Sequence, residues 1–309
     1  CLDFIRHAKF LFFAIVLSVI FLETLKTEKE RHAGLRIMGI GALVFGLFSV
    51  VYNFLGYNVT HDLRLLGPLD AAVYLAFYLA PFFIYFTISA FENPKQKSNW
   101  IYGILIAALM IATRSMGAIG GSLLVLIIYF FRRSNILKST GAKVILGIIT
   151  LTIIGTIFYL KILPTLTTQY SSLDERGQIW LTSAELLKNP STLLTGVGFG
   201  QFQQQYFENV TAVLGHEPLD YYVLQPHNIF LLFIFQFGIL GLAFLIFLIA
   251  KTISTLRHWE KTDSNVLAAL MLLYFLIHGL IDTPFFKNDL LILFIIFGEL
   301  SLIKKSDRV

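Results

Sequence analysis

Nine times along this chain an apolar run of membrane-span length, or close to it, is followed by a polar stretch, at residues 8–21, 35–55, 71–91, 100–112, 116–131, 144–159, 229–250, 266–281 and 290–303. A hydrocarbon core about 30 Å thick asks for about 20 apolar residues per helix, so the shorter runs sit near the lower limit. Inside lipid every backbone N–H and C=O must be paired within the protein, which leaves helices or closed barrels. The runs therefore predict an all-α, polytopic transmembrane helical bundle of about nine spans. With 56% apolar and only 14% charged residues and a mean hydropathy of +0.74, a soluble domain is excluded.

Orientation follows from where the cations fall. One set of loops carries Lys26, Lys29, Arg31 and Arg36, then Lys95 and Lys97, then Arg132, Arg133, Lys138 and Lys143, then Lys251, Arg257 and Lys261, and finally Lys304, Lys305 and Arg308. The alternate loops carry half as many: Arg6, Lys9, Arg64, Arg114, Lys161, Arg176, Lys188 and Lys287. By the positive-inside bias the first set is cytoplasmic and the second faces outward. The net charge of +5 is then an orientation signal beside anionic membrane lipids, not a nucleic-acid footprint. With nine spans and a cytoplasmic C-terminus residue 1 falls outside, so the expectation is a single transmembrane domain over 1–309 that has lost helices at its N-terminus. The lone cysteine, Cys1, rules out an internal disulfide and a multi-cysteine metal site.

Room for chemistry lies in one long outward loop, residues 161–226. Within it Ile179-Trp180-Leu181-Thr182-Ser183-Ala184-Glu185-Leu186-Leu187 has helical spacing and reads as an amphipathic helix stopped by Asn189-Pro190. Gly196-Val197-Gly198-Phe199-Gly200 follows no strand, so it reads as a tight turn that lets backbone approach backbone and not as a nucleotide loop.

Outward arginines are the exception to the charge bias and invite a functional question. Arg114 is pinned in a three-residue connection, Arg176 precedes the amphipathic helix and Arg64 follows the second span. An arginine at a helix end can simply snorkel to a lipid phosphate. Three on one face beside a histidine are suited to a diphosphate, which the guanidinium fork binds without ever losing its charge. No Asp-x-Asp motif is present to hold a metal-bound nucleotide diphosphate, so no metal and no cofactor are expected.

His227 stands where the long polar loop enters an apolar run, preceded by Pro226 and followed by Asn228. It either caps the helix or takes a proton from an attacking hydroxyl, with Asn228 orienting ring or substrate. Gly238 and Gly241 share one helix face and suit close helix packing. His278 and Asp282, four apart, fall on one face at a depth similar to His227, as a proton relay, a support or a self-satisfied pair. No charged residue sits at the centre of a predicted span, which argues against an ion-coupled carrier.

Taken in chain order, these motifs resemble the O-antigen ligase and polymerase superfamily of bacterial envelope membrane glycosyltransferases. The resemblance rests on His227-Asn228-x9-Gly238-x-x-Gly241 after a large loop, on Arg176-Gly177-Gln178-Ile179-Trp180 with Gly196-x-Gly198-x-Gly200 inside it, and on Thr113-Arg114-Ser115 between two helices. It implies a GT-C-like helical fold in the bacterial inner membrane. It also implies metal-independent, inverting transfer of a glycan from an undecaprenyl diphosphate carrier at the periplasmic face to a lipid A-core or other glycan acceptor. Arg114 and Arg176 would engage the diphosphate, with Arg64 a weaker partner, and His227 would act in catalysis. After the glycines the chain reads Leu242-Ala243-Phe244 where the family's ligases often carry threonines, so a polymerase or a protein O-oligosaccharyltransferase stays open. Outside the family the alternative is a polysaccharide or lipid exporter, which predicts charged or broken helices at mid-membrane.

Overall fold

The computed structural model describes residues 2–60, 63–133, 172–257, 259, 262–283 and 290–302, and among them every regular element is helical. In chain order these are α1 (Leu2–Thr24), α2 (Glu28–Phe54), α3 (Ala72–Glu92), α4 (Lys97–Ala112), α5 (Met116–Arg133), α6 (Ser172–Leu186), α7 (Pro190–Thr195), α8 (Phe202–Leu214), α9 (Ile229–Arg257), α10 (Ser264–His278) and α11 (Leu290–Leu302). Four of them, α2, α3, α5 and α9, are long and apolar enough to cross a membrane, and α4, α10 and α11 are shorter apolar helices. The architecture is a helical bundle of a multi-pass membrane protein. The expected span at 144–159 lies outside the described residues.

The chain divides into two compact units. The larger comprises residues 8–126, 247–278 and 284–309. Here α3 is central, packing on α2, α4 and α10, and α10 packs in turn on α11. Aromatic rings fill the middle: Phe77 lies edge-on to Phe275 at 4.4 Å between centroids, and Phe275 and Phe82 both meet Phe297, at 5.8 and 6.3 Å. Edge-to-face pairs of this kind satisfy the ring quadrupoles while burying large apolar surfaces. The turn between α1 and α2 closes with a capping box, Thr27 and Glu30 each accepting the other's backbone N–H at 3.3 and 2.8 Å. Arg31 donates to the carbonyls of Leu25 and Lys26 just past the end of α1, which answers acceptors left open there.

The smaller unit comprises residues 1–7, 127–246 and 279–283. Helix α6 packs against α8 around a core of Ile179, Phe202, Tyr206, Val210, Val223 and Phe235. Burial pushes the Tyr206 phenol up to about 12, so it stays neutral. Asn189-Pro190 does more than stop a helix: the Asn189 side chain accepts the Ser191 N–H at 3.0 Å and Pro190 opens α7. Helix α8 ends on Gly215 in the left-handed region.

Gly238 departs from the sequence expectation. It lies inside α9 with φ 63° and ψ −150°, a conformation open essentially to glycine alone, and it breaks the helix in two. A Cβ there would strike the Leu194 carbonyl, and one at Gly241 would strike the carbonyl of Phe233 in the preceding half of the same helix. The pair was expected to admit a neighbouring helix. Gly238 instead admits the end of α7, and Gly241 admits the other side of the break.

Candidate active site

Pro226, His227 and Asn228 join the polar segment to α9 through a sharp corner, with His227 at φ 51° in the left-handed region. The corner is anchored from three sides. Trp180 of α6 donates its indole N–H to the Pro226 carbonyl at 3.0 Å. Asn228 accepts the N–H groups of Phe230 and Leu231 at 3.0 and 3.2 Å, which makes it the N-cap of α9. Its amide also donates to the Leu280 carbonyl at 3.1 Å, while Ile229 N–H bonds Gly279 O at 2.6 Å. Asn228 is therefore a cap and a tie to residues 279–280, not a group turned toward the His227 ring.

That tie brings Asp282 to the histidine. The Asp282 Oδ1 lies 2.9 Å from His227 Nδ1, and its Oδ2 lies 3.6 Å from an Arg176 Nη. One carboxylate thus faces the imidazole with one oxygen and the guanidinium with the other. The three are half-buried, with side-chain exposures of 34% for His227, 15% for Asp282 and 24% for Arg176, so solvent screens the pairs only in part. Asp282 Oδ1 also accepts the Thr283 N–H at 2.8 Å, and the buried Thr283 hydroxyl donates to Gln225 at 3.1 Å, which closes a ring back to the corner.

Arg176 belongs to the early part of α6, which begins at Ser172 and so takes in residues expected to precede the helix. One Nη donates to Ser172 O at 3.1 Å, and the buried Nε has no hydrogen-bond partner among the described residues. A buried donor left open beside a charged cluster is a place for a substrate oxygen. With Nδ1–H directed at Asp282, the tautomer leaves Nε2 of His227 as the acceptor.

The glycine turn is tied to α9 beyond the corner. Val197 N–H bonds the Phe235 carbonyl at 2.8 Å, and Gly200 N–H bonds the buried Gln236 side chain at 2.9 Å. Gly196, at φ 74°, leaves no room for a Cβ between Phe235 O and Gly238 N. The backbone-to-backbone approach expected of this motif is what the turn makes.

The remaining sequence candidates lie in the larger unit. Arg64 and Arg114 come together there: Arg64 Nε donates to the Thr113 carbonyl at 3.0 Å, and Arg114 follows with φ 52°. Leu65 N–H bonds Ala112 O at 3.0 Å and fixes the loop against the end of α4. His278 does not share a helix face with Asp282. Helix α10 ends at His278, so the spacing of four does not put Asp282 on its face. The buried His278 ring instead shares a hydrogen bond of 2.8 Å with Tyr274 and lies against Phe77. Sequence reasoning missed Gln225, Thr283 and Gln236, whose partners are 36 to 58 residues away and carry no local signal.

A helical, multi-pass membrane protein with an imidazole, a carboxylate and a guanidinium gathered at a loop-to-helix corner is the class that fold and site define. Residues 100–246 match the family model described as O-antigen ligase, a stretch that includes Arg114, Arg176, His227 and both glycines of α9. The match covers a little under half of the chain, and over that stretch the chain is similar to the O-antigen ligase family. No curated protein matches the chain.

Proposed function

We propose that the chain transfers a glycan from an undecaprenyl diphosphate carrier to an acceptor hydroxyl at the periplasmic face of the bacterial inner membrane. The observation that carries this reading is the Asp282 carboxylate between His227 and Arg176. Asp282 holds Nδ1–H of the ring, so Nε2 accepts the proton of the acceptor hydroxyl as its oxygen bonds to the anomeric carbon. The bond from that carbon to the diphosphate oxygen breaks in the same step, and its electron pair leaves with the lipid diphosphate. One displacement inverts the anomeric configuration. Neither metal nor cofactor enters the balance.

Charge accumulates on the departing diphosphate, and fixed cations in a partly dehydrated site stabilise it more there than in the ground state. Arg176 offers its open Nε to the diphosphate, a role proposed for Arg114 and Arg64 as well. Trp180 and Asn228 hold the corner that carries the ring and are positioning residues.

The test is reconstitution of the purified protein with an undecaprenyl diphosphate-linked glycan and lipid A-core, with product mass and anomeric configuration as readouts. Inverted product on lipid A-core is the expected result. Extension of the carrier-linked glycan instead would identify a polymerase, glycan on protein a protein O-oligosaccharyltransferase, and no new glycosidic bond with any acceptor would overturn the reading.

A further inference from the structure

The larger unit holds a cavity of about 640 Å³ that the transfer reaction does not use. Its size falls within the usual range of small-molecule pockets, about 300–1,000 Å³. It is built where α2, α4 and α10 begin and α3 ends, with Lys29 and Arg36, Ser89 and Glu92, Asn99 and Thr262 in its lining. The Arg64 and Arg114 corner is formed at the other ends of α2, α3 and α4. At 1.5 Å per residue the 21 residues of α3 separate the two places by about 30 Å.

Three features of the lining point to an anion. Arg36 is met by neutral groups: one Nη donates to the Ser98 hydroxyl at 3.0 Å, and the guanidinium lies 5.9 Å from the Tyr102 ring centroid. Lys29 makes no ion pair among the described residues, whereas His32 is paired with Glu28 at 3.2 Å and Glu92 accepts the Thr262 hydroxyl at 2.7 Å. Finally, Asn99 is 2% exposed and has one side-chain atom without a partner among the described residues.

The identity of that atom follows from its neighbour. The Gln96 amide satisfies Arg36 only with its oxygen toward the guanidinium, so its NH₂ faces Asn99, 3.3 Å away. The Asn99 oxygen must then turn to accept from it, which leaves an Asn99 N–H as the buried, unpaired group. A buried donor, a guanidinium charge and an ammonium around one space suit a phosphate group, and Glu92, the single lining carboxylate among the described residues, is already engaged.

We propose that this cavity is a phosphate-binding site at the cytoplasmic end of the bundle, separate from the transfer site. The side follows from the charge bias, because these helix ends carry Lys26, Lys29, Arg31, Arg36, Lys95 and Lys97. The phosphate comes from the headgroup of an anionic phospholipid in that leaflet or from a soluble phosphate compound.

The two sources separate in a pair of binding measurements on the full chain in detergent. Native mass spectrometry after incubation with phosphatidylglycerol reads the lipid, and calorimetric titration with inorganic phosphate reads the soluble anion. Wild type and Lys95→Gln, which removes an exposed cation outside the lining, should bind at least one probe. Arg36→Gln and Asn99→Leu should each weaken that binding tenfold or more, and either variant suffices if it elutes as a folded species. Lipid retention alone assigns the headgroup, and phosphate binding alone assigns a soluble ligand. Wild-type binding of both probes by the folded variants, or of neither by wild type, overturns the proposal. Glycan transfer is not a readout, so the outcome is independent of the transfer reading.

Discussion

The aromatic centre of the larger unit is held by rings against rings, the His227 corner of the smaller by hydrogen bonds that join segments dozens of residues apart. Around Phe77 and Phe275 ring packs on ring, and a lost contact is shared among many others. Around Asp282 each atom has a named partner: His227, Arg176 and the Thr283 N–H. A close-packed apolar core yields gradually to volume-conserving change, while a half-buried polar network depends on every member. The difference teaches where single-atom substitutions should matter. Chemistry should be sensitive at the Asp282 network and stability alone at the Phe275 core.

The largest effect is expected from His227→Ala, which removes the base and should lower transfer by about a thousandfold with normal amounts in the membrane. Retained transfer of labelled glycan would break the comparison at its centre. Asp282→Asn keeps the shape but not the charge. It should reduce kcat about a hundredfold with the donor KM nearly unchanged, since Asp282 acts through the ring. A KM effect without a kcat effect would make Asp282 a binding group. Arg176→Lys should cost about tenfold in kcat/KM, because an ammonium cannot offer a fork of donors. Full activity would show that charge alone suffices.

Gly238→Ala forces a Cβ against the Leu194 carbonyl at φ 63°. It should destabilise by about 1–3 kcal/mol, read as a lower thermal midpoint in detergent. The smallest effect is expected from Phe275→Leu in the larger unit, about 1 kcal/mol of stability with transfer kinetics unchanged. A kinetic loss there would dissolve the distinction between the two units.

Helices were readable because apolar runs report them directly: residues 71–91 became Ala72–Glu92, and 116–131 became Met116–Arg133. The break at Gly238 was not readable, since a glycine within a continuous apolar run gives the same signal as a packing glycine. Helix α8 was missed because Phe202, Tyr206 and Val210 face a core assembled by distant partners. The site was half legible. Position and residue type singled out His227, Arg176 and Asp282, yet helical spacing assigned Asp282 to His278, and α10 stops one turn too early for that. The true pairing spans 55 residues and follows from the bonds that the Asn228 side chain and the Ile229 N–H make to the Leu280 and Gly279 carbonyls.

The interruption of α9 bears on how the protein is made. A helix broken inside an apolar run has backbone groups that its own ladder cannot satisfy, and lipid offers no substitute. Here Phe235 O is met by Val197, and the Leu194 carbonyl passes within touching distance of Gly238. Residues 194–197 leave the ribosome before residue 229, so the piece that completes the broken helix is already synthesised when that helix emerges.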